Sequence, residues 1–354
     1  MIEFIKNFIN EERSVIFKMK KTDRKPEVPF IAALCAGIPL LFAYFTNRID
    51  MAMPLALSAF IFLYLPSRTT VANKLVTILI CAFGFSVAFL VGLLSSFNPW
   101  VHALSIGVLA FIVHWINSTF NRVPPGSFFF IMIATMAGAV PFNLISIPEK
   151  MGYMSIGITF VCLVGLLYAI FKQDNPLEKK EKIELTATQK SENVVDSLLI
   201  GFFIFLSMLV GKIFDFHNSY WVAISCLAVM QGFSIYHIWQ RGIYRLIGTL
   251  LGVGFCWLLL QFLNSPLQVI FCIIILQYIV EVLIVRHYAL AVIFITPLTI
   301  LLGEIGKDSL EHVNHLMYIR FIDISVGCLI GVLGGFIIYN NSVRNITRKI
   351  VTKQ

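Results

Sequence analysis

Long apolar runs alternate with short polar or charged breaks along almost the whole chain. Many of these runs approach the roughly 20 residues that a helix needs to cross the hydrocarbon core of a bilayer. The pattern predicts an all-α integral membrane protein with about twelve transmembrane helices, each boundary being soft by several residues. The predicted spans are 29–46, 51–66, 74–95, 100–118, 126–144, 151–171, 194–213, 220–236, 243–263, 267–284, 288–303 and 318–339.

Composition supports the same class of protein. Of the 354 residues, 58% are hydrophobic and only 13% are charged, whereas apolar residues make up about half of a soluble domain. The lipid bilayer is therefore the first partner that the sequence predicts.

One polar, charged segment, 172–192, interrupts the apolar pattern and divides the chain. Each side is predicted to hold six spans, and an even number gives both halves the same orientation, as in transporters built from parallel repeats. The short second span of each half and the basic turn after it support this duplication. The predicted regions are a basic amphipathic segment at 1–27, a first half at 28–171, the linker at 172–192, a second half at 193–340 and a tail at 341–354.

The positions of lysine and arginine predict the orientation, because cytoplasmic loops carry the excess of these residues. With the N-terminus inside, the cytoplasmic segments hold 22 of the 27 basic residues. This predicts a multi-pass protein of the bacterial inner (plasma) membrane with both termini cytoplasmic. The same asymmetry accounts for most of the net charge of +8, so the basic character is no argument for a nucleic-acid partner.

The most informative stretch is "WQRGIYRLIGTLLGVG", in which Arg241 and Arg245 lie on one helical face and glycines follow. We expect the two guanidinium groups near the inner mouth, where they could bind a substrate carboxylate in a bidentate manner. Topology and lipid anchoring alone explain the arginines as well. Small residues let a second helix approach closely, which predicts packing at Gly248, Thr249, Gly252, Gly331 and Gly335.

Further polar residues lie in apolar surroundings in the second half. Glu281 is predicted to neutralise Arg245 or Arg286, with proton coupling as the alternative. Arg320 and Asp323 have the spacing of an ion pair on one helical face, and an intramembrane acid can also relay protons.

Two threonines and one histidine in predicted spans are further candidates for functional residues. Thr296 and Thr299 flank Pro297, where a broken helix could line a substrate cavity. His114 is predicted as a neutral hydrogen-bonded histidine, with proton relay as the alternative.

The chain contains no zinc-protease, phosphate-loop or nucleophile-elbow motif. We therefore predict neither an enzyme nor a cofactor. His312 and His315 could share a helical face, but no further ligand pair accompanies them, so no metal site is predicted.

The stretch "YWVAISCLAVMQGFSIYHIWQRGIYRLIGTLLGVG" resembles the signature of the fusaric acid resistance-like family. That family includes bacterial exporters of aromatic carboxylic acids and is related to plant aluminium-activated malate channels. The resemblance is best over 194–340, and Arg320, Asp323 and the glycines that follow them resemble the closing helix of the family. Residues 1–171 lack the Arg-x-x-Gly-Thr motif, and the large soluble domain of many members is absent.

The resemblance and the arginines together imply a gradient-driven secondary transporter that exports amphipathic organic anions, with aromatic carboxylates as the expected class. An anion channel of the malate-channel type is the first alternative, and a lipid-handling or non-transporting membrane subunit is the second. The sequence leaves open the substrate, the direction, the coupling ion, a homodimeric state and the presence of an adaptor protein.

Overall fold

The computed structural model describes residues 22, 24–67, 69–120, 125–172, 186–216, 219–304 and 313–340, and for residues 304 and 313–318 it describes the backbone alone. All regular secondary structure in these ranges is helical. Most of the predicted basic segment and linker and all of the predicted tail lie outside the described residues, as do Arg68, Arg122 and His312. Only the backbone of His315 is described.

Twelve α-helices follow one another in the described chain, and short 3₁₀ segments at Ile49–Met51, Ala59–Tyr64 and Leu144–Ser146 flank α2 and precede α6. The helices are α1 (Glu27–Phe45), α2 (Ala52–Ser58), α3 (Val71–Ser95), α4 (Pro99–Thr119), α5 (Phe128–Ala137), α6 (Ile147–Phe171), α7 (Ala187–Ile213), α8 (Tyr220–Met230), α9 (Ile235–Leu260), α10 (Pro266–Leu283), α11 (Tyr288–Glu304) and α12 (Val313–Ile338).

Eight of the described helices are long and apolar enough to cross a membrane, so the prediction of twelve full spans is not confirmed. The apolar helices Ile49–Tyr64, Phe128–Ala137, Tyr220–Met230 and Tyr288–Gly303 are shorter. An eleven-residue helix such as α8 rises only about 16 Å, which is roughly half of the hydrocarbon core. All ten residues from Trp221 to Met230 are buried, so protein surrounds this short helix.

Local capping explains why several helices begin where they do. The side chains of Thr70, Asn98 and Ser234 accept hydrogen bonds from backbone N–H groups in the first turns of α3, α4 and α9. Ser265 and Gln268 form a capping box at α10, with Pro266 in the first turn. These side chains satisfy donors that a helix leaves free at its N-terminus.

Helix α9 begins eight residues before the predicted start of its span at 243. His237, Gln240 and Arg241 therefore belong to the helix itself. A prediction from hydropathy starts the span after these polar turns. The cap at Ser234 shows where the helix itself begins.

The helices pack in a connected bundle. Within the first half α3 packs against α5 and α6, and α2 packs against α6. Within the second half α9 packs against α11 and α12, and α8 packs against α12. The pairs α4 with α7 and α1 with α10 join the halves.

The glycines predicted to mediate helix packing all face other helices of the same chain. A Cβ at Gly248 would lie 2.8 Å from Val292, and one at Gly252 would lie 2.7 Å from the Ile293 carbonyl oxygen. On α12, Gly331 faces the Cys226 backbone of α8 and Gly335 faces Ile238 of α9. These contacts bring α11 onto α9, and α8 and α9 onto α12.

Apolar side chains also cover the outside of the bundle. On α3, Leu79 is 60% exposed and Phe83 is 73% exposed, and similar residues project from most of the long helices. Such a surface is unfavourable in water but is the expected lipid-facing surface of a membrane protein. The protein is therefore a multi-pass membrane protein.

Candidate functional site

Arg245 occupies the middle of the second half. It lies ten residues after the start of α9, about 15 Å along the helix axis, and only 6% of it is exposed. Its Nε has no hydrogen-bond partner among the described residues. The position of Arg245 near the inner mouth stays a prediction.

Arg320 connects three helices. Its guanidinium carbon lies 3.8 Å from the centroid of the Trp221 ring of α8, a close cation–π contact. Its Nη2 donates a hydrogen bond to the Thr299 hydroxyl of α11. Only 7% of Arg320 is exposed, and its charge is close enough to that of Arg245 for the two to interact electrostatically.

Asp323 lies one helical turn after Arg320 and is completely buried. Neither of its carboxylate oxygens has a hydrogen-bond partner within the part of the chain that the structure describes. The carboxylate and the Arg320 guanidinium therefore interact through their charges without a hydrogen bond between them.

Unpartnered polar atoms are concentrated at this junction of α8, α9 and α12. Within the described ranges, buried atoms without a hydrogen-bond partner include Trp221 Nε1, Ser225 Oγ, Arg245 Nε, Arg320 Nε and both Asp323 oxygens. The large majority of buried polar atoms in proteins are hydrogen-bonded, and each exception requires an explanation. Three charged groups are among these exceptions, and a buried ionisable residue in a membrane protein is by default a functional-site hypothesis. We call Arg245, Arg320 and Asp323 the charged cluster.

Thr296 and Thr299 lie beside this cluster on an unbroken helix. Helix α11 continues through Pro297, so the predicted helix break is absent. The hydroxyls of Thr296 and Thr299 bond back to the carbonyls of Val292 and Ile295 at 3.0 and 2.8 Å.

Pro297 nevertheless has a structural consequence for α11. Proline has no N–H, so the carbonyl four residues earlier, Ile293 O, loses its helical partner. That oxygen lies 2.7 Å from the position that a Cβ would take at Gly252. Glycine at 252 therefore lets α9 approach the carbonyl that Pro297 leaves free.

The remaining predicted site residues lie away from the cluster. The Arg241 guanidinium lies 4.6 Å from the centroid of the Tyr288 ring. Arg286 is half-buried in the turn after α10. His114 shares a hydrogen bond of 2.9 Å with Ser197, at the contact between α4 and α7.

Glu281 has a different partner from the one predicted. Its Oε2 lies 2.9 Å from Arg24 Nη2, and its Oε1 accepts a 3.2 Å hydrogen bond from Gln277. Arg24 also donates to the Glu281 carbonyl at 3.2 Å. The acid thus pairs with the segment before α1 rather than with Arg245 or Arg286.

Trp221, Ser225 and Arg24 contribute contacts or polar atoms that the sequence did not predict. Trp221 was part of the family signature, but the pattern contained no signal that its ring stacks on Arg320. Arg24 and Glu281 are separated by 257 residues, so no local pattern could pair them.

Comparison with known proteins confirms the family resemblance in the second half. Residues 206–334 match the family described as fusaric acid resistance protein-like, and this range contains the charged cluster. The chain is also similar to the uncharacterized membrane protein YvaC of Bacillus subtilis (strain 168), with 34% identity over 150 residues. The match covers 42% of the chain and 24% of that protein. No solved structure matches the chain.

Proposed function

We propose that the protein is a secondary transporter of the bacterial inner membrane, with cytoplasmic termini, that exports amphipathic organic anions. Aromatic carboxylates are the class to test first, because the matching family is described by resistance to an aromatic acid. The observation that carries the proposal is the charged cluster, buried where α8, α9, α11 and α12 meet.

Energetic cost supports a functional role for the cluster. A charged side chain near the middle of a span costs about 2.5–3.5 kcal/mol on insertion scales. Arg245, Arg320 and Asp323 are each at most 7% exposed, and the described contacts satisfy them only partly. Apolar residues would pack this junction at lower cost.

Net charge supports an anionic substrate. Two arginines and one ionised aspartate leave one positive charge, which matches one carboxylate. Arg245 Nε and Arg320 Nε are both unpartnered donors, and guanidinium groups bind carboxylates through two parallel hydrogen bonds. The Trp221 ring and the Thr299 hydroxyl hold Arg320 in position.

Asp323 is the candidate for coupling to protons. When ionised it competes with a substrate carboxylate for the arginines, and when protonated it leaves them to the substrate. By linkage, proton binding and anion binding then strengthen each other, so protonation of Asp323 would regulate loading of the site. A proton that left together with the anion would cancel its charge. An inside-negative membrane potential favours exit of the anion that leaves without a proton, by about 2.3 kcal/mol per 100 mV.

We also propose that the chain consists of two six-helix halves in the same orientation. The third helix of each half packs on the fifth and sixth, and the second packs on the sixth. Gly157 of α6 faces Leu55 and Ser58 of α2, as Gly327 of α12 faces Val222 and Ser225 of α8. The shorter apolar helices occupy second and fifth place in each half.

Flux measurements in proteoliposomes test the proposal. We expect export of a hydroxybenzoate by the wild-type protein and its loss in Arg245→Gln. Lys212→Gln is the control, since it also removes one positive charge, but from an exposed ion pair with Asp215. Current that follows voltage at high turnover would favour the channel alternative. Absence of flux across a panel of organic acids would contradict transport and favour the lipid-handling or subunit alternative.

A further inference from the structure

A groove runs between α1 and α6 in the first half of the chain. The charged cluster lies in the second half. Its volume is about 390 Å³, which lies within the range of roughly 300–1,000 Å³ that small-molecule sites occupy. Leu34 and Ile38 line one wall, and Phe160 and Val164 line the other. Glu27 and Lys172 lie at one end.

The groove has the length of one leaflet. From Glu27 to Ile38, α1 rises about 16 Å, which is about half of a 30 Å hydrocarbon core. Its charged end coincides with the N-terminus of α1 and the C-terminus of α6, where we expect these two spanning helices to meet the membrane interface. The groove is therefore apolar at the depth of acyl chains and charged at the depth of head groups.

The charged end presents an exposed lysine. Lys172 Nζ pairs with Glu27 Oε1 at 3.0 Å, and the Lys172 side chain is 53% exposed. Buried Lys74 donates a 3.1 Å hydrogen bond to the Lys172 carbonyl. The exposed ammonium group of Lys172 can donate charge-assisted hydrogen bonds to a phosphate at this end.

The corresponding place in the second half is closed. There Gly334 of α12 lies against Phe203 of α7, 2.8 Å from the position of a Cβ. In the first half, branched Val164 lines the groove on α6. The α1–α6 contact is also less extensive than the α7–α12 contact. The groove is thus a specific feature of the first half.

We propose that this groove binds one phospholipid of the leaflet next to the α1 N-terminus, with an acyl chain between α1 and α6 and the phosphate on Lys172. The site is independent of the charged cluster. Glu27 holds Lys172 at the groove end and competes with the phosphate for it.

Native mass spectrometry of the full-length protein, titrated with dioleoyl phosphatidylglycerol, tests the site. Lys172→Gln should weaken the first bound lipid by about tenfold or more, the loss expected for one charge-assisted hydrogen bond. Glu27→Gln should bind at least as tightly as the wild type, because it removes the competitor. Equal losses in both variants would show that only the ion pair matters and would overturn the proposal.

Groove-filling variants give a second, independent readout. Val164→Trp should abolish the first binding step, whereas Leu163→Trp, at a 55% exposed neighbour outside the lining, should leave it unchanged. Dioleoylglycerol, which has the same chains without the phosphate, should not compete. Competition by dioleoylglycerol, or equal binding by both tryptophan variants, would indicate nonspecific lipid contact and contradict the site. If Val164→Trp does not fold, Lys172→Gln and Glu27→Gln still test the proposed lipid site.

Discussion

In each half of the molecule the third helix packs on the fifth and sixth, but the residues that fill this junction differ. Where α9 meets α11 and α12, the second half buries Arg245, Arg320 and Asp323. Where α3 meets α5 and α6, the first half buries Phe85, whose ring lies 4.7 Å from Phe130 and 5.8 Å from Tyr64 between centroids. The first half therefore fills this junction with aromatic rings, and its buried Lys74 lies in the first turn of α3 instead.

This difference teaches that the charged cluster is not needed to assemble such a bundle. The first half places charges instead at an exposed helix end, where Arg48 pairs with Glu149 at 2.6 Å and with Asp50 at 3.2 Å. Exposed pairs of this kind cost little desolvation, whereas charges inside a span cost much more. The second half accepts that cost, which fits a role in moving an anion.

The largest expected effect comes from Arg320→Gln. Truncating one member of a buried charge pair costs about 2–5 kcal/mol, or about 30-fold to several thousand-fold in substrate affinity, and it removes the countercharge of Asp323. Flux and thermal unfolding should both decline. The double variant Arg320→Gln with Asp323→Asn should recover thermal stability but not flux. Recovery of flux in the double variant would show that the pair is purely structural.

At the junction of α3, α5 and α6 in the first half, a substitution should lower stability but leave flux unchanged. Phe85→Ala removes a fully buried ring and should lower the free energy of unfolding by about 3–5 kcal/mol. Flux per folded molecule should stay close to that of the wild type, because no charge is lost. Unfolding in detergent and flux normalised to reconstituted protein separate the two quantities. A selective loss of flux would place part of the transport path in the first half.

A smaller effect is expected at the close contact of α9 with α11. Gly252→Ala places a methyl group 2.7 Å from the Ile293 carbonyl, and overpacking of this kind costs about 1–3 kcal/mol. Gly254→Ala is the matched control, because no atom lies within 4 Å of its Cβ position. The two variants are compared by thermal unfolding, and equal melting temperatures would contradict the tight contact.

The smallest effect is expected for Lys212→Gln. Its partner Asp215 is 92% exposed, and such surface pairs contribute about 0–1 kcal/mol. Thermal unfolding and flux should both remain close to those of the wild type. A loss of flux comparable to that of Arg245→Gln would mean that total charge, rather than the charged cluster, governs transport.

Much of the helix order was predictable. Span 74–95 was predicted for α3, which is Val71–Ser95, and span 100–118 for α4, which is Pro99–Thr119. These helices are apolar almost throughout and begin at recognisable caps. The start of α9 was predicted too late, because its first turns are polar. The short second span 220–236 was predicted for α8, which is shorter still, Tyr220–Met230, because its length depends on the protein that surrounds it.

The sequence alone determined that the chain is helical, that its helices are apolar enough for a membrane, and that Arg245, Arg320 and Asp323 are unusual there. Hydropathy, capping and glycine spacing are local properties, so they can be recognised in the sequence without knowledge of the tertiary structure. Only the tertiary structure decided that Arg320 stacks on Trp221, that Asp323 lacks a hydrogen-bond partner among the described residues, and that Glu281 pairs with Arg24. Those contacts join helices far apart in the chain, and the packing of the helices, rather than any local pattern, selects the partners.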